Sequence, residues 1–142
     1  MSSIRALTVR PPWSDCILTG AKEVENRTWT RSWRGTILLT ASATVDRAAL
    51  AHPLVTHALP PEYQLVRGAV VAVADLVEIH TCDGACSRWA EPGRFHWQLA
   101  NVDVLSEPVN CRGQLGLWRP EPELLRQVAD LAPQLRVRLE AG

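Results

Sequence analysis

Residues 68–79, Gly-Ala-Val-Val-Ala-Val-Ala-Asp-Leu-Val-Glu-Ile, constrain the fold more than any other stretch of the chain. So valine-rich a run, with Val70 and Val71 both apolar, suits a strand covered on both faces rather than one with a wet side. Such a strand requires partners on either edge, so it is expected at the centre of a sheet. A carboxylate, Asp75, arrives inside it. Burying that group is costly unless it is paired, so Asp75 is expected either to meet an arginine or to belong to a cleft.

The other strand-like segments are short. Residues 4–10 alternate and stop at Pro11-Pro12. Residues 24–29 and 35–41 follow, and 95–105 carries Phe95, Trp97 and Leu99 on one face. Further short strand material is expected around Gly113 and Gly116, and a last strand at 134–139. Between Pro12 and Gly20, Trp13, Cys16 and Ile17 fall at helical spacing, with Gly20 placed as the C-terminal cap. Residues 46–59 read as partly helical, broken at Pro53 and Pro60-Pro61, and 121–131 as a short amphipathic helix. Residues 30–34 and 80–94 are polar loops, and the second is long enough to suggest function. Many short strands with a few inserted helices define an α+β chain, and a small closed or nearly closed β-barrel with flanking helices removes unpaired edges. At 142 residues the chain fits a single domain with one core.

The formal net charge is zero, which argues against coating nucleic acid through a strong overall field. Residues 1–35 hold six basic side chains (Arg5, Arg10, Lys22, Arg27, Arg31, Arg34) against three acidic ones (Asp15, Glu23, Glu25), a local net of +3. The N-terminal residues have no long apolar run behind them, so neither a signal peptide nor a membrane partner is expected and the location is expected to be cytoplasmic. The four cysteines, Cys16, Cys82, Cys86 and Cys111, are then expected as reduced thiols, the first and last as small buried residues. His80, Cys82, Cys86 and the later His96 contain enough ligands for zinc, but the spacing is irregular for that purpose, so no metal and no cofactor are expected.

Residues 20–29, Gly-Ala-Lys-Glu-Val-Glu-Asn-Arg-Thr-Trp, concentrate the chemistry. Lys22 is the only lysine among 15 basic residues, and an ammonium, unlike a guanidinium, can give up its proton. In an extended chain Glu25, Arg27 and Trp29 share one face, and Lys22 in the preceding turn can swing toward it. A lysine acting as base or nucleophile needs its pKa lowered from about 10.4 to roughly 7–8, by burial or a nearby cation. Arg27 can supply that cation, whereas Glu25 favours the ammonium. Such chemistry therefore expects Arg27 to hold Glu25 in a bidentate pair that leaves Lys22 apart, with Arg27 or Thr28 stabilising an oxyanion. A binding role asks less: Lys22, Arg27, Arg10 and Arg34 hold phosphates while Trp13, Trp29 or Trp33 stacks a base, with Asn26 and Thr28 as further polar contacts. The plain alternatives are a solvated strand with surface ion pairs for residues 22–27, packing for Trp97 and Trp118, and a turn for Asn101.

The set Arg10-Pro-x-Trp13, Gly20-x-Lys22-x-x-Glu25-x-Arg27-x-Trp29, Arg34-Gly35, Gly68-Ala-Val-Val, His96-Trp97 and Cys111-Arg112-Gly113-x-Leu115-Gly116-Leu117-Trp118 resembles the ASCH domain family over roughly residues 4–119. The resemblance implies a PUA-like β-barrel with a cleft at the Gly-x-Lys-x-x-Glu-x-Arg segment, and an RNA or a modified nucleoside as partner. It also implies, as an alternative, an amidohydrolase acting on N4-acetylcytidine, or a ribonuclease. Deacetylating relatives are thought to use a lysine, a threonine and a glutamate. The lysine matches Lys22, the threonine position holds Glu25, and Asp75 or Glu78 would have to supply the separate carboxylate. A non-catalytic protein-interaction domain is the third expectation.

Overall fold

A computed structural model of the chain describes residues 4–133 and Leu135. Six strands make one mixed sheet: β1 (Arg5–Val9), β2 (Val24–Arg27), β3 (Gly35–Ala41), β4 (Ala69–His80), β5 (Phe95–Asn110) and β6 (Leu117–Trp118). Their order is β2-β5-β4-β3-β1-β6. β1 and β3 run parallel and every other pairing is antiparallel. β4 lies inside the sheet, as its valine run requires, and residues Ala69 to Ala74 are all buried.

Apolar clusters cover both faces of the sheet. Leu7, Leu39, Ala72, Leu76 and Trp97 belong to one, and Ala6, Leu38, Val70, Val73 and Trp118 to the other. Strict alternation would put Val71 and Ala72 on opposite faces, yet both join the first cluster. The cause is a register shift between Val70 and Ala72 against β5, which resets the phase of the strand.

The β4–β5 ladder shifts register three times, and such bulges bend and twist a sheet. The resulting sheet is curled and barrel-like, but among the described residues it does not close by hydrogen bonding: β2 and β6 remain as edges, four and two residues long. Edges this short limit unwanted pairing without closure, so of the closed or nearly closed barrel expected, the sheet takes the open, barrel-like form. The bulges also explain why β5 is one strand of 16 residues where the sequence pattern suggested a break. The chain bends through Asn101, at φ 52°, instead of stopping. The Asn101 side chain donates to Asp75 Oδ2 at 2.9 Å, so the carboxylate within β4 has an amide partner on the neighbouring strand.

The helices lie where the proline and glycine signals put them. α1 (Trp13–Leu18) is followed by Gly20 at φ +84°, whose N–H donates to the Ile17 carbonyl. A 3-10 turn (Arg47–Ala51) and α2 (Pro53–Ala58) fill the partly helical stretch, divided before Pro53. α3 (Pro122–Ala129) sets Val128 and Ala129 on the second cluster, with Ala132 and Leu135 beyond it. The strand expected at 134–139 lies, apart from Leu135, outside the described residues. No helix among the described residues is long and apolar enough to cross a membrane.

Candidate functional site

The turn after α1 delivers Lys22. Its backbone N–H donates to the Cys16 carbonyl at 3.0 Å, which tucks the residue against the helix end, and only 2% of its side chain is exposed. β2 begins two residues later and pairs with β5 in the register Glu25↔Trp97, so Glu25 and Arg27 project beside the lysine. Residues 22–27 are therefore not a solvated strand with surface ion pairs.

Glu25 bridges two cations. Its Oε1 lies 3.7 Å from Lys22 Nζ and its Oε2 lies 3.0 Å from Arg27 Nη2. The expectation that Arg27 would take the carboxylate alone and leave Lys22 apart is overturned, because the turn brings the lysine to the other oxygen. Arg27 is also anchored by donating from Nη2 to the Thr8 carbonyl at 2.7 Å, while its buried Nε has no hydrogen-bond partner among the described residues. Burial pushes the Lys22 amine below its ordinary value, and the Glu25 carboxylate acts against that shift. Of the two expected causes, burial or a nearby cation, burial is the one that lowers the pKa of Lys22.

Two indoles enclose the same amine. Lys22 Nζ lies 5.1 Å from the Trp13 ring centre and 5.2 Å from that of Trp89, whose planes meet at 87°. The Trp13 Nε1–H donates to Asp46 Oδ2 at 2.9 Å, and Arg10 Nη2 approaches the same oxygen at 3.7 Å. Trp89 arrives on the 80–94 loop, which Asn26 holds in place: its Nδ2 donates to the Trp89 carbonyl at 2.7 Å and its Oδ1 accepts from the Glu91 N–H at 2.9 Å. Asn26 therefore lines the cleft but uses its amide to bind the loop.

Trp13, Lys22, Glu25, Asn26 and Arg27 line a polar cleft of about 390 Å³ together with Thr8, Arg10, Asp46, Glu91 and Arg94, while Trp89 lies buried behind the lysine. A broader depression of about 1000 Å³ continues from Thr8, Arg10 and Arg27 to Trp29, Arg31 and Arg112. Trp29 is held edge-on to Trp97, with ring centres 4.7 Å apart, and Trp97 Nε1 donates to the Trp29 carbonyl. The Arg31 guanidinium lies 4.5 Å from the centre of the Trp29 ring.

Several expected site residues lie elsewhere. Asp75 is on the sheet with Asn101, and neither it nor Glu78 lines the cleft. Trp33 packs against the first core cluster beneath Arg5, and Arg34 donates to the carbonyls of Arg31 and Trp33. Thr28 is exposed outside both depressions. Trp97 and Trp118 are core, as expected. Conversely, Thr8, Asp46, Trp89, Glu91 and Arg94 were not singled out from the sequence, and the length of the 80–94 loop was the one signal pointing to the last three. Cys16 is buried and its thiol is pushed up, chiefly by that burial, to about 11, so it is an inert neighbour of the site. Cys82 and Cys86, expected as separate thiols, are instead paired, because the loop folds back and brings their Cα atoms to 6.5 Å.

The curled mixed sheet, the flanking helices and a charged cleft on an edge strand define a small barrel-like α+β domain. The ASCH domain model matches residues 7–109, more than half of the chain, and the chain belongs to the ASCH domain family. No curated protein matches it.

Proposed function

We propose that this ASCH domain, with a PUA-like relationship of its sheet and helices, binds RNA or a modified nucleoside in the cytoplasm. The observation that supports this most is the continuity of two unlike sites through Arg27. One is a narrow cleft in which Lys22 lies between Trp13 and Trp89. The other is the open depression with Arg31 over Trp29 and Arg112 nearby. A single nucleoside suits the first, whose charged and aromatic walls offer hydrogen bonds and stacking. A strand suits the second, where guanidinium groups meet phosphates and an indole meets a base. The test is titration of short single-stranded RNAs, with and without N4-acetylcytidine, followed by fluorescence anisotropy at several salt concentrations. Binding that weakens steeply with salt supports the proposal. No binding at low salt by any oligonucleotide or nucleoside in the panel refutes it.

Hydrolysis is the second reading, favoured by the burial of Lys22, which lowers the pKa of its amine against the opposing pull of Glu25. In its neutral form the amine takes a proton from water as the oxygen adds to an acyl carbon. The Arg27 guanidinium faces the developing oxyanion, and the Lys22 ammonium returns the proton to the leaving nitrogen as the C–N bond breaks. Mass analysis of acylated nucleosides tests it: turnover by the native chain and loss in Lys22→Arg are expected, and an unchanged rate in that variant rules out this role.

A further inference from the structure

The loop that supplies Glu91 and Arg94 to the cleft, and Trp89 to the back of Lys22, carries a second, separate cluster. His80 and His96 face each other as cross-strand partners at the open end of the β4–β5 ladder. Cys82 and Cys86 lie in the loop that leaves it. One ligand-type atom from each of these four residues lies within 4.8 Å of every other. Cys82 Sγ is 3.4 Å from His96 Nδ1, Cys86 Sγ is 3.4 Å from His80 Nε2, and Cys86 Sγ is 3.7 Å from His96 Nδ1. With Zn–S near 2.3 Å and Zn–N near 2.0–2.1 Å, a tetrahedral zinc centre has S···N edges of about 3.6 Å. Three of the four sulfur–nitrogen spacings already match.

Outer contacts also favour ligation. His96 is fully buried, and its Nε2 lies 2.6 Å from the Glu91 carbonyl, which can only accept. The proton is therefore on Nε2, and the lone pair of Nδ1 faces both sulfurs. His80 presents Nε2 to Cys86, and its Nδ1 lies 3.3 Å from Glu78 Oε2, a close charge contact that lacks the alignment of a hydrogen bond but leaves a carboxylate beside the imidazole. The Gly84 N–H donates to Cys82 Sγ at 3.3 Å, a contact that stabilises a thiolate. Two imidazoles with their lone pairs toward two sulfurs, backed by a carbonyl, a carboxylate and an amide, form a built site.

We propose that His80, Cys82, Cys86 and His96 form a structural zinc site that fastens the 80–94 loop to the end of the sheet and so sets Glu91 in the wall of the cleft and Trp89 against Lys22. This assignment is independent of what the cleft binds. The paired sulfurs and the zinc centre are alternative states of one cluster. A thiol reductant gives the pair two electrons and two protons, yielding two thiols, and each releases its proton as its sulfur binds zinc. All four positions are then protein ligands, the closed arrangement of a structural rather than a catalytic zinc.

The test uses the untagged full chain purified under a thiol reductant, with bound metal measured by elemental mass spectrometry. One zinc per chain is expected. Cobalt(II) in its place should give the absorption of a tetrahedral centre with thiolate ligands. Cys86→Ser and His80→Ala should each abolish stoichiometric uptake. Because a misfolded variant would lose metal for an unrelated reason, the native chain is also stripped by a chelator and refilled with zinc. The melting temperature should fall on stripping and recover on refilling. A reduced native chain that takes up no added zinc overturns the proposal, as does uptake that is unchanged in Cys86→Ser. Uptake without any change in melting temperature overturns the structural role.

Discussion

Glu25 divides its carboxylate between two cations, Oε1 toward Lys22 at 3.7 Å and Oε2 toward Arg27 at 3.0 Å. Glu25→Gln keeps the shape and removes the carboxylate that bridges the two cations, leaving a buried ammonium beside a guanidinium. Breaking a buried pair in this way costs about 3–5 kcal/mol. Chemical denaturation should show a loss of that order in Glu25→Gln. The loss should be much smaller when Lys22→Met is already present, because the two changes remove one interaction. Additive losses would show that Glu25 and Lys22 act independently.

Lys22 should leave a signature in the pH dependence of stability. Its amine titrates below the ordinary value of 10.5 in the folded chain because burial penalises the ammonium. Between the folded value and 10.5 the unfolded chain holds more protons, so stability rises with pH through that window. The contribution is largest above 10.5 and is lost as pH falls through the folded value. The measurement is the difference in unfolding free energy between the native chain and Lys22→Met across that range. Groups such as Tyr63, whose hydroxyl is pushed up by burial and by its bond to Asp15, titrate in both proteins and cancel. A flat difference would place the amine in water.

For a chain that binds RNA, Trp29→Ala should weaken binding by about 1–3 kcal/mol, the usual worth of one stacked base. Arg31→Ala and Arg112→Ala should each lower the steepness of the salt dependence, since each would remove a phosphate contact. Trp33→Ala serves as the contrast, because Trp33 packs on the core beneath Arg5, away from both depressions. Its effect should fall on stability and not on affinity. Equal losses of affinity in Trp29→Ala and Trp33→Ala would exclude the open depression as the binding surface.

Asn26→Ala tests how the loop is held. The change removes both hydrogen bonds to the Trp89 and Glu91 backbone, each worth about 1 kcal/mol net. Hydrogen exchange should show the amides of 81–94 exchanging faster in this variant, while those of β4 residues 69–76 keep their protection. Uniformly faster exchange across the sheet would mean that Asn26 supports the whole fold.

The valine run, the proline stops and the Gly20 cap were legible because they act locally: each sets a dihedral preference or a face of an element within a few residues. The faces of β2 were legible for the same reason, and Glu25 and Arg27 do share one. What escaped the sequence depends on register. The three shifts between β4 and β5 follow from packing along the whole ladder, and they decide that β5 is continuous and that Asp75 meets Asn101. The cleft escaped in part for a similar reason. Thr8, Asp46 and Trp89 are far apart in the chain, and only the β1–β3 pairing and the Asn26 clamp bring them to Lys22. Trp33 and Arg34 were misplaced because a polar loop beside a motif resembles a binding loop, although its indole had core to cover.

The sole lysine of this chain lies with its amine almost wholly enclosed by two indoles and a carboxylate. Amine-directed acylating reagents therefore meet one side chain and any terminal amine, and nothing else. The acylation rate of Lys22 reports at once on the fraction of neutral amine and on whether the cleft is open. A ligand seated there should silence it, so the protein carries its own single-residue occupancy probe, readable by mass without any added label.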